Sequence, residues 1–407
     1  MAAPLAHIRV LDLSRVLAGP WAAQFLADMG AEVIKIEKPG EGDDTRGWGP
    51  PFVREPLAGD PGISAYFLCA NRGKKSVTVD MAVPEGQELI RKIAAKSVVI
   101  IENFKVGGLA KYGLDYASIK AINPGIVYCS ITGFGQTGPY ASRAGYDFLV
   151  QGMGGLMSVT GEPDSVAGGG PVKVGVAISD QIAGMNALAG ILTALVHRER
   201  TGEGDHIDVA LLDATVSSLI NQASTHLVAG TVPGRMGNAH PTVVPYQAFA
   251  TAKGHIILAI GNDGQFSRFC KAVGLGELSP DPRFVTNTQR IINRASLIPQ
   301  IAAALAKRSA DDWIAIFKPL AVPCGPINTI DKVFQDPQVR ARNTVRTLNH
   351  LEAGPLPVVA NPVRMASHDT TAPKAPPLLG EDTDEVLREL LGLKAAEIAK
   401  LKDGGVV

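Results

Sequence analysis

Short apolar runs alternate with longer amphipathic segments through the first third of the chain, and this alternation limits the fold more than any other feature. The apolar runs have the length of buried strands, while the segments between them carry apolar residues at helical spacing. Strands are expected at Ile8–Leu13, Glu32–Glu37, Val98–Glu102 and Ile126–Ile131, and helices at Trp21–Met29, Pro84–Ala95 and Tyr116–Ile122. Such alternation is typical of a mostly parallel sheet with helices on both faces. The sequence therefore predicts an α/β fold whose large domain is Rossmann-like.

Sheets of this kind bind ligands at the carboxyl ends of their strands. Asn103 and Phe104 directly follow one of the predicted strands, and are candidates for a binding site. The turn after the first strand, Leu17–Pro20, holds a single glycine, whereas a dinucleotide-binding turn carries three at fixed spacing. An NAD-dependent dehydrogenase is therefore disfavoured.

One carboxylate, Asp180, stands where an apolar strand-like run gives way to an apolar helix. The run is Val172–Ile178, the helix is expected over Gln181–Leu195, and Gly202 is placed to end it. Asp180 either caps this helix, as aspartate commonly does, or is a nucleophile that the helix dipole keeps ionised and its neighbours partly desolvate. Position alone favours the cap.

Charge and cysteine content exclude several classes of function. Lys plus Arg and Asp plus Glu both total 39, so the formal net charge is zero and no global basic field attracts nucleic acid or membrane. An anionic ligand needs local cations, and the cluster Asn71, Arg72 and Lys74 either holds phosphates or forms a solvated turn. The four cysteines are widely spaced, which argues against a metal site. Without a recognisable leader, we expect a cytoplasmic protein that binds no metal.

The remaining chain suggests further organisation. Residues 1–220 are expected to form most of the large domain, and 225–330 a smaller α+β domain in which Lys253 and Gly254 form a hairpin turn. Residues 332–407 are expected to return to the large domain.

Several long blocks together resemble the class III, formyl-CoA-type CoA-transferases. They are LDLSRVLAGPWAAQFLADMGAEVIKIEKPGEGDDTRGW, NRGKKSVTVDM, ENFKVGGLAKYGLDY, SITGFGQTGPYASRAGYDF, VGVAISDQIAGMNALAGILTAL, VPCGPIN and APPLLGEDTDEVL. The resemblance covers nearly the whole chain, and GRMGNAHPTVVPYQAF looks most like the subgroup that uses short dicarboxylates. It implies CoA transfer from an acyl-CoA such as succinyl-CoA to a dicarboxylate such as glutarate, an interlocked homodimer, and no tightly bound cofactor.

The resemblance also implies roles for individual residues, and it reverses the interpretation of Asp180. As the family's nucleophile, Asp180 would form a covalent aspartyl-CoA thioester. The positions that match the family's coenzyme A contacts or lie beside them are Leu17, Ala18, Lys38, Asn71, Arg72, Lys74, Asn103, Phe104, Lys111, Tyr112, Arg143, Tyr146 and Asp147. Asp147 replaces a glutamate of the family pattern, and Leu17 a glutamine.

Two alternatives stay open on the sequence. The related α-methylacyl-CoA racemases carry a histidine where this chain has Tyr146, which is a poor base near neutral pH, so a racemase is the second choice. A non-catalytic CoA-binding protein would not need Asp180. In the smaller domain, Arg235, Asn238 and His240 either bind the distal carboxylate of a substrate or belong to an ordinary loop.

Overall fold

The computed structural model of the chain describes residues 3–57, 60–370 and 374–407. Its strands are β1 (Arg9–Asp12), β2 (Glu32–Glu37), β3 (Phe52–Arg54), β4 (Ile63–Ser64), β5 (Lys74–Thr78), β6 (Val99–Glu102), β7 (Val127–Thr132), β8 (His206–Ala210), β9 (Tyr246–Ala250), β10 (His255–Ala259), β11 (Cys324–Pro326), β12 (Val345–His350) and β13 (Gly354–Val359). Its α-helices are α1 (Ala18–Asp28), α2 (Ala65–Leu68), α3 (Pro84–Ala95), α4 (Tyr116–Ile122), α5 (Asp147–Met153), α6 (Leu156–Val159), α7 (Ile178–Thr201), α8 (Leu211–Ser217), α9 (Ile220–Ala229), α10 (Asp263–Ala272), α11 (Asn287–Ile292), α12 (Arg294–Leu305), α13 (Ala310–Phe317), α14 (Ile330–Val333), α15 (Pro337–Ala341), α16 (Thr383–Glu389) and α17 (Ala395–Asp403).

Two compact units divide the described residues. The first comprises residues up to 156, 174–227 and 340–407, and the second comprises 157–173 and 228–339. No helix among the described residues is long and apolar enough to cross a membrane.

The first unit is built on a six-stranded sheet in the order β5-β2-β1-β6-β7-β8, with every neighbouring pair parallel. The predicted parallel α/β sheet is thus confirmed. The chain passes from β1 to β2 on one side and later to β6 on the other side. This reversal of direction leaves a crevice at the carboxyl ends of β1 and β6, where ligands of open α/β sheets bind.

Alternating residues of the central strands face opposite layers of helices. Val10 of β1 belongs to one apolar core with helices α1 and α7, while its neighbour Leu11 belongs to a second core with α3, α4, α16 and α17. The sheet is therefore covered on both faces, as continuous apolar strands require.

The predicted strand Val172–Ile178 does not form. Val172 and Val176 are exposed, and the residues from 172 to 177 pair with no strand. An apolar run becomes a strand only where a neighbouring strand accepts its hydrogen bonds. The helix begins instead at Ile178, so Asp180 lies within its first turn and is not the N-cap. The predicted end is confirmed, because Gly202 adopts the left-handed conformation (φ +79°) that terminates helices.

Helix α7 packs unusually close to the start of helix α1. A Cβ atom on Gly184 would lie 2.7 Å from the carbonyl oxygen of Ala18, closer than real Cβ atoms approach. The absence of a side chain at Gly184 therefore allows this close packing, which brings the N-terminal parts of α1 and α7 together.

The second unit has its own sheet and core. Strands β9 and β10 form an antiparallel hairpin whose turn contains Gly254 at φ +81°, as predicted, and β11 pairs with β10. Phe266, Phe269, Trp313 and Phe317 are buried between this sheet and helices α10, α12 and α13.

Candidate active site

A cavity of about 510 Å³ opens in the first unit at the carboxyl ends of β1, β6 and β7. Its lining includes the turn after β1, residues 15–18, the segment after β6, residues 103–106, and Asp180 from the first turn of α7. Because β1 and β6 flank the point where strand order reverses, this is the ligand position expected for the fold.

Side chains from several elements hold the turn after β1 in place. The side chain of Asn103 accepts a hydrogen bond from the backbone N–H of Arg15 (2.8 Å) and donates one to its carbonyl oxygen (2.6 Å). Val16 adopts φ +70°, rare for a β-branched residue, and its N–H donates to both carboxylate oxygens of Asp43 at 3.3 Å. This anchored turn places Leu17 and Ala18 against the cavity.

Asp43 forms a buried ion pair with Lys35. Its carboxylate lies 2.9 Å from the ammonium of Lys35, and neither side chain is exposed to solvent. Burial alone would raise the pKa of Asp43, but Lys35 and the hydrogen bonds from Thr45 lower it to about 2. Asp43 therefore remains a charged acceptor for Val16 throughout the physiological range.

Asp180 sits in an environment that disfavours its charged form. Burial, and then the nearby carboxylate of Asp147, raise the pKa of Asp180 from its ordinary value of 3.8 to about 7. The sequence predicted a carboxylate that the helix dipole keeps ionised and its neighbours partly desolvate. The desolvation is present, and together with Asp147 it opposes ionisation. A carboxyl with this pKa is about half ionised at neutral pH, and perturbation of this size is typical of functional sites.

Asp147 is the residue that satisfies the start of α7. One of its oxygens accepts a hydrogen bond from the backbone N–H of Ser179 (2.7 Å), and the other accepts one from the amide of Gln151 (2.8 Å). The hydroxyl of Ser179 accepts a further bond from Thr215 at 2.9 Å. Ser179 is thus fixed from both sides immediately before Asp180.

The cavity brings most of the predicted coenzyme A residues together. Those lining it with Asp180 are Leu17, Ala18, Asn103, Phe104, Lys111, Tyr112, Arg143 and Tyr146. Lys38 lines an adjoining cavity of about 270 Å³. Its ammonium pairs with Glu41 at 2.5 Å. Five residues line both cavities, namely Arg15, Asp44, Met81, Phe104 and Tyr112.

The polar cluster at Asn71, Arg72 and Lys74 does not reach the cavity. All three side chains are buried. Lys74 contacts Asp12 at 2.8 Å and the side-chain oxygen of Asn71 at 2.9 Å, while Arg72 forms a two-pronged pair with Asp28. The sequence offered two interpretations of this cluster, a phosphate site and a solvated turn. The structure shows neither, because the side chains are buried and their charges are paired with carboxylates inside the protein.

Arg15, Trp48 and Lys105 are among the lining residues of the cavity that were not singled out from the sequence. Arg15 and Lys105 directly adjoin predicted positions at the ends of β1 and β6, so the strand-end rule could have included them. Arg15 pairs with Asp44 at 3.1 Å. The lining holds four cations, Arg15, Lys105, Lys111 and Arg143, against the two carboxylates Asp44 and Asp180. The cavity therefore favours an anionic ligand.

Aromatic rings lie beside these cations. The ammonium of Lys111 is 4.5 Å from the ring centroid of Tyr112, which lines the cavity together with Phe104. The guanidinium of Arg143 is 4.5 Å from the ring centroid of Tyr140, which is not among the lining residues. Rings and cations in one cavity suit a ligand that combines a flat base with phosphates.

The candidate substrate residues of the second unit are engaged with their own surroundings. Arg235 forms an ion pair with Asp164, and donates a hydrogen bond to the carbonyl oxygen of Glu162 at 3.1 Å. The ring nitrogen Nδ1 of His240 accepts a bond from the N–H of Thr242 at 3.1 Å, while Asn238 is exposed.

The Asp180 cavity has the parts for nucleophilic chemistry. No histidine is among its lining residues, and nowhere in the described ranges do three or more metal-binding side chains cluster. Helix α1 begins at Ala18 without a side-chain cap, so its first N–H groups are available at the cavity. A carboxylate beside the uncapped start of α1 can attack a carbonyl carbon and have the resulting oxyanion stabilised by these N–H groups.

Comparison with known proteins identifies strong similarities along the whole length. The model of CoA-transferase family III matches residues 5–383. Succinate–glutarate CoA-transferase of Agrobacterium fabrum is 49% identical over 95% of this chain and 96% of its own. Succinyl-CoA:glutarate CoA-transferase of Mus musculus is 42% identical over 99% of this chain and 90% of its own. The crystal structure of a CaiB/BaiF family protein from Brucella suis superposes with a TM-score of 0.84 at 48% identity, covering 96% of this chain and all of that one.

Proposed function

As a member of CoA-transferase family III, the chain is an enzyme that transfers CoA, and we propose that it moves CoA from succinyl-CoA to glutarate or a similar short dicarboxylate. The names of its relatives supply the two substrates. One structural observation carries the mechanism: a single half-buried carboxyl with a pKa of about 7, Asp180, lines the cavity at the strand-order reversal.

In the proposed mechanism the Asp180 carboxylate attacks the thioester carbonyl of succinyl-CoA. The C–S bond breaks, giving a mixed anhydride and CoA thiolate. The thiolate attacks the aspartyl carbonyl, releases succinate and leaves an aspartyl-CoA thioester. The acceptor carboxylate then attacks this thioester, and the freed thiolate attacks the acceptor carbonyl of the new anhydride to yield the product acyl-CoA and the original carboxylate. No proton is gained or lost over the cycle, and the thioester's energy is conserved.

The first turn of α1 supports the charged stages of this cycle. Each attack produces a tetrahedral oxyanion or a thiolate, which backbone N–H groups at a helix start stabilise. The backbone N–H groups of Ala18 and Gly19, the first two residues of α1, have no side-chain cap. The third residue, Pro20, has no backbone N–H group. Close packing at Gly184 keeps this turn beside the start of α7.

The cations and rings of the two connected cavities suit the coenzyme itself. Lys105, Lys111 and Arg143 provide positive charge for its phosphates, and Phe104 and Tyr112 provide apolar faces for its adenine. Phe104 and Tyr112 also line the adjoining cavity, which contains Lys38. The two cavities together offer the length that a long ligand needs.

The decisive test is to trap the covalent intermediate. The protein is incubated with succinyl-CoA, treated with hydroxylamine or borohydride, and mapped by mass spectrometry. We expect modification at Asp180, and none in the Asp180→Asn variant. Asp213 offers a matched control, since it is likewise the third residue of its helix but is exposed. Asp213→Asn should keep full turnover, whereas turnover retained by Asp180→Asn would refute the mechanism.

Neither alternative drawn from the sequence gains support. A non-catalytic binding protein is excluded by membership of an enzyme family. Racemisation requires two acid–base groups flanking the α-carbon, but Tyr146 is 67% exposed and the cavity lining contains no histidine. Exchange of the α-proton of a branched acyl-CoA, without modification of Asp180, would restore the racemase hypothesis.

A homodimer is also proposed. Helix α9 leaves large apolar side chains in solvent: Ile220 is 72% exposed and Leu227 is 82% exposed. Exposed apolar surface of this kind is typical of protein–protein contact. Light scattering coupled to size-exclusion chromatography should give twice the chain mass of 42.7 kDa, and a monomer mass would refute the proposal.

The cytoplasm is the compartment we propose. The four cysteines are all unpaired, as is usual where thiols are kept reduced. Cell fractionation with detection of the protein tests this directly, and recovery from an oxidising compartment would contradict it.

A further inference from the structure

Helix α5 presents two polar side chains, one turn apart, to the start of the nucleophile's helix. Asp147 accepts from the N–H of Ser179 at 2.7 Å, and Gln151 accepts from the N–H of Val174 at 2.8 Å. The two side chains are joined to each other by the bond from the Gln151 amide nitrogen to Asp147 at 2.8 Å. Gln151 has no exposure to solvent.

No strand pairs with the segment that leads into α7, and these side-chain bonds contribute to holding it in place. Residues 172–177 form no regular structure, yet Asp180 must present its carboxyl to the cavity with fixed geometry. Val174 lies before this helix and Ser179 lies in its first turn. Side chains of α5 therefore accept hydrogen bonds from the chain on both sides of the helix start.

The four groups form a hydrogen-bonded chain in which donors and acceptors must alternate correctly. Both ends, the N–H groups of Val174 and Ser179, are donors. Between them, Asp147 supplies two acceptors, while Gln151 supplies one donor toward Asp147 and one acceptor toward Val174. In the observed arrangement each of these atoms takes part in one of the three bonds, so the link between the side chains needs one that supplies a donor and one that supplies only acceptors, as an amide and an ionised acid do.

We propose that Gln151 is a positioning residue for the CoA-transfer reaction. With Asp147 it forms an acid–amide pair that fixes the start of α7 and so orients the Asp180 carboxylate. The proposal rests on the proposed function, in which Asp180 is the nucleophile. Gln151 does not line the cavity, so it acts through Asp147 and the backbone rather than through substrate.

Single substitutions break the alternation. In Asp147→Asn, with the side chains in their observed positions, the introduced amide nitrogen faces the amide nitrogen of Gln151, so one buried donor is left facing another. In Gln151→Glu two carboxylates face each other until one takes up a proton, which restores the donor that the glutamine had supplied. We expect each single variant to lose about tenfold or more in kcat at pH 8, because an unmatched buried polar group is costly. Relative to the wild type at the same pH, Gln151→Glu should recover activity as the pH falls.

The exchanged pair, Asp147→Asn/Gln151→Glu, restores the alternation. The introduced asparagine accepts from Ser179 and donates to the introduced glutamate, which accepts from Val174. All three hydrogen bonds are retained, but the negative charge moves one helical turn along α5. The exchange therefore separates positioning from electrostatics.

The negative charge that the exchange moves is that of Asp147, which affects the pKa of Asp180. Burial first and Asp147 second raise the pKa of Asp180 to about 7. Tyr66 also interacts with both carboxylates, but burial and Asp180 raise its pKa to about 12, so it stays neutral. In the exchanged pair the acidic limb of the rate profile should therefore move to lower pH, while kcat at pH 8 returns to within a few-fold of the wild type.

The experiment measures kcat, KM, the pH–rate profile and the melting temperature for wild type, both single variants and the exchanged pair, with succinyl-CoA and glutarate. Gln338→Glu is the matched control, since Gln338 is exposed on a helix, and it should change nothing. Rescue of both kcat and melting temperature in the exchanged pair supports the proposal. An exchanged pair no better than its worse single variant overturns it. If the wild type forms no adduct at Asp180, the proposed function fails and the positioning role fails with it, and a rescued melting temperature then shows that the pairing is purely structural.

Discussion

Replacing Asp180 by asparagine should abolish CoA transfer and, at the same time, stabilise the protein in a pH-dependent way. A carboxamide cannot serve as the nucleophile, so turnover and the covalent adduct disappear. The effect on stability follows from the environment of the carboxyl group, which is partly buried and repelled by Asp147. Asparagine keeps the shape of the side chain and removes its charge.

The size of the effect can be worked out from the pKa of Asp180. Folding raises it from an ordinary value of 3.8 to about 7. The folded state thus binds the proton more tightly than the unfolded state, and the wild type loses stability relative to the variant as the pH rises from about 4 to about 7. At about 1.4 kcal/mol for each pH unit, the full difference is about 4 kcal/mol. Partial exposure to water makes this an upper limit.

Thermal unfolding of both proteins from pH 4 to pH 8 measures this difference. With about 2 cal/mol/K of unfolding entropy per residue, 1 kcal/mol moves the melting temperature of a chain of this length by about 1 °C. We expect equal melting temperatures near pH 4, and a variant that melts up to about 4 °C higher at pH 8. Other titrating groups are common to both proteins and cancel in the comparison.

The exposed counterpart Asp213 gives the control. Asp213→Asn should show no such widening between pH 4 and pH 8, because this carboxyl is exposed in the first turn of α8. A difference between wild type and Asp180→Asn that stays constant with pH would refute the argument that the site disfavours the charged form.

Three further substitutions test the supporting structure. Gly184→Val should lower both stability and turnover, measured by melting and by kcat, because a Cβ at this position would lie 2.7 Å from the Ala18 carbonyl oxygen and force the starts of α1 and α7 apart. Lys74→Met should cost about 3 kcal/mol or more in denaturant unfolding, since it leaves the buried Asp12 carboxylate without its 2.8 Å partner; an unchanged midpoint would contradict this. Lys111→Ala should raise KM for the acyl-CoA several-fold at low salt and less at high salt, with kcat nearly unchanged, because an exposed cation acts by screened attraction.

Periodicity was sufficient to predict most of the sheet and its helices. The bounds of β2, α3 and α4 are those expected from the sequence, because each has an unambiguous apolar period. The prediction of a strand at Val172–Ile178 was wrong, because a pattern of valines does not reveal whether a neighbouring strand has free hydrogen-bonding groups. Here the partner of Val174 is a glutamine side chain, 23 residues earlier in the chain.

Site residues that lie at the ends of strands could be predicted from the sequence. The ion-pair partners of buried charged residues could not. Asn103 and Phe104 were expected at the cavity because the end of a parallel strand must face it. Lys74 was not recognised as buried, because its partner Asp12 lies 62 residues away in sequence and only the parallel arrangement of β1, β2 and β5 brings them together. A sequence shows charges, but not which of them are already neutralised.

The raised pKa of Asp180 bears directly on how the proposed chemistry proceeds. In the resting enzyme the reactive form carries a negative charge that burial and Asp147 disfavour. In the anhydride and in the thioester the same side chain is neutral, so the environment that penalises the carboxylate does not penalise either covalent state. The environment that raises the pKa therefore also favours acylation, by up to the same few kcal/mol, although only the ionised fraction can react. A carboxyl with an ordinary pKa would be fully ionised at neutral pH but would lose this advantage, and for that reason Asp147, held in place by Gln151, belongs to the mechanism as much as the helix starts do.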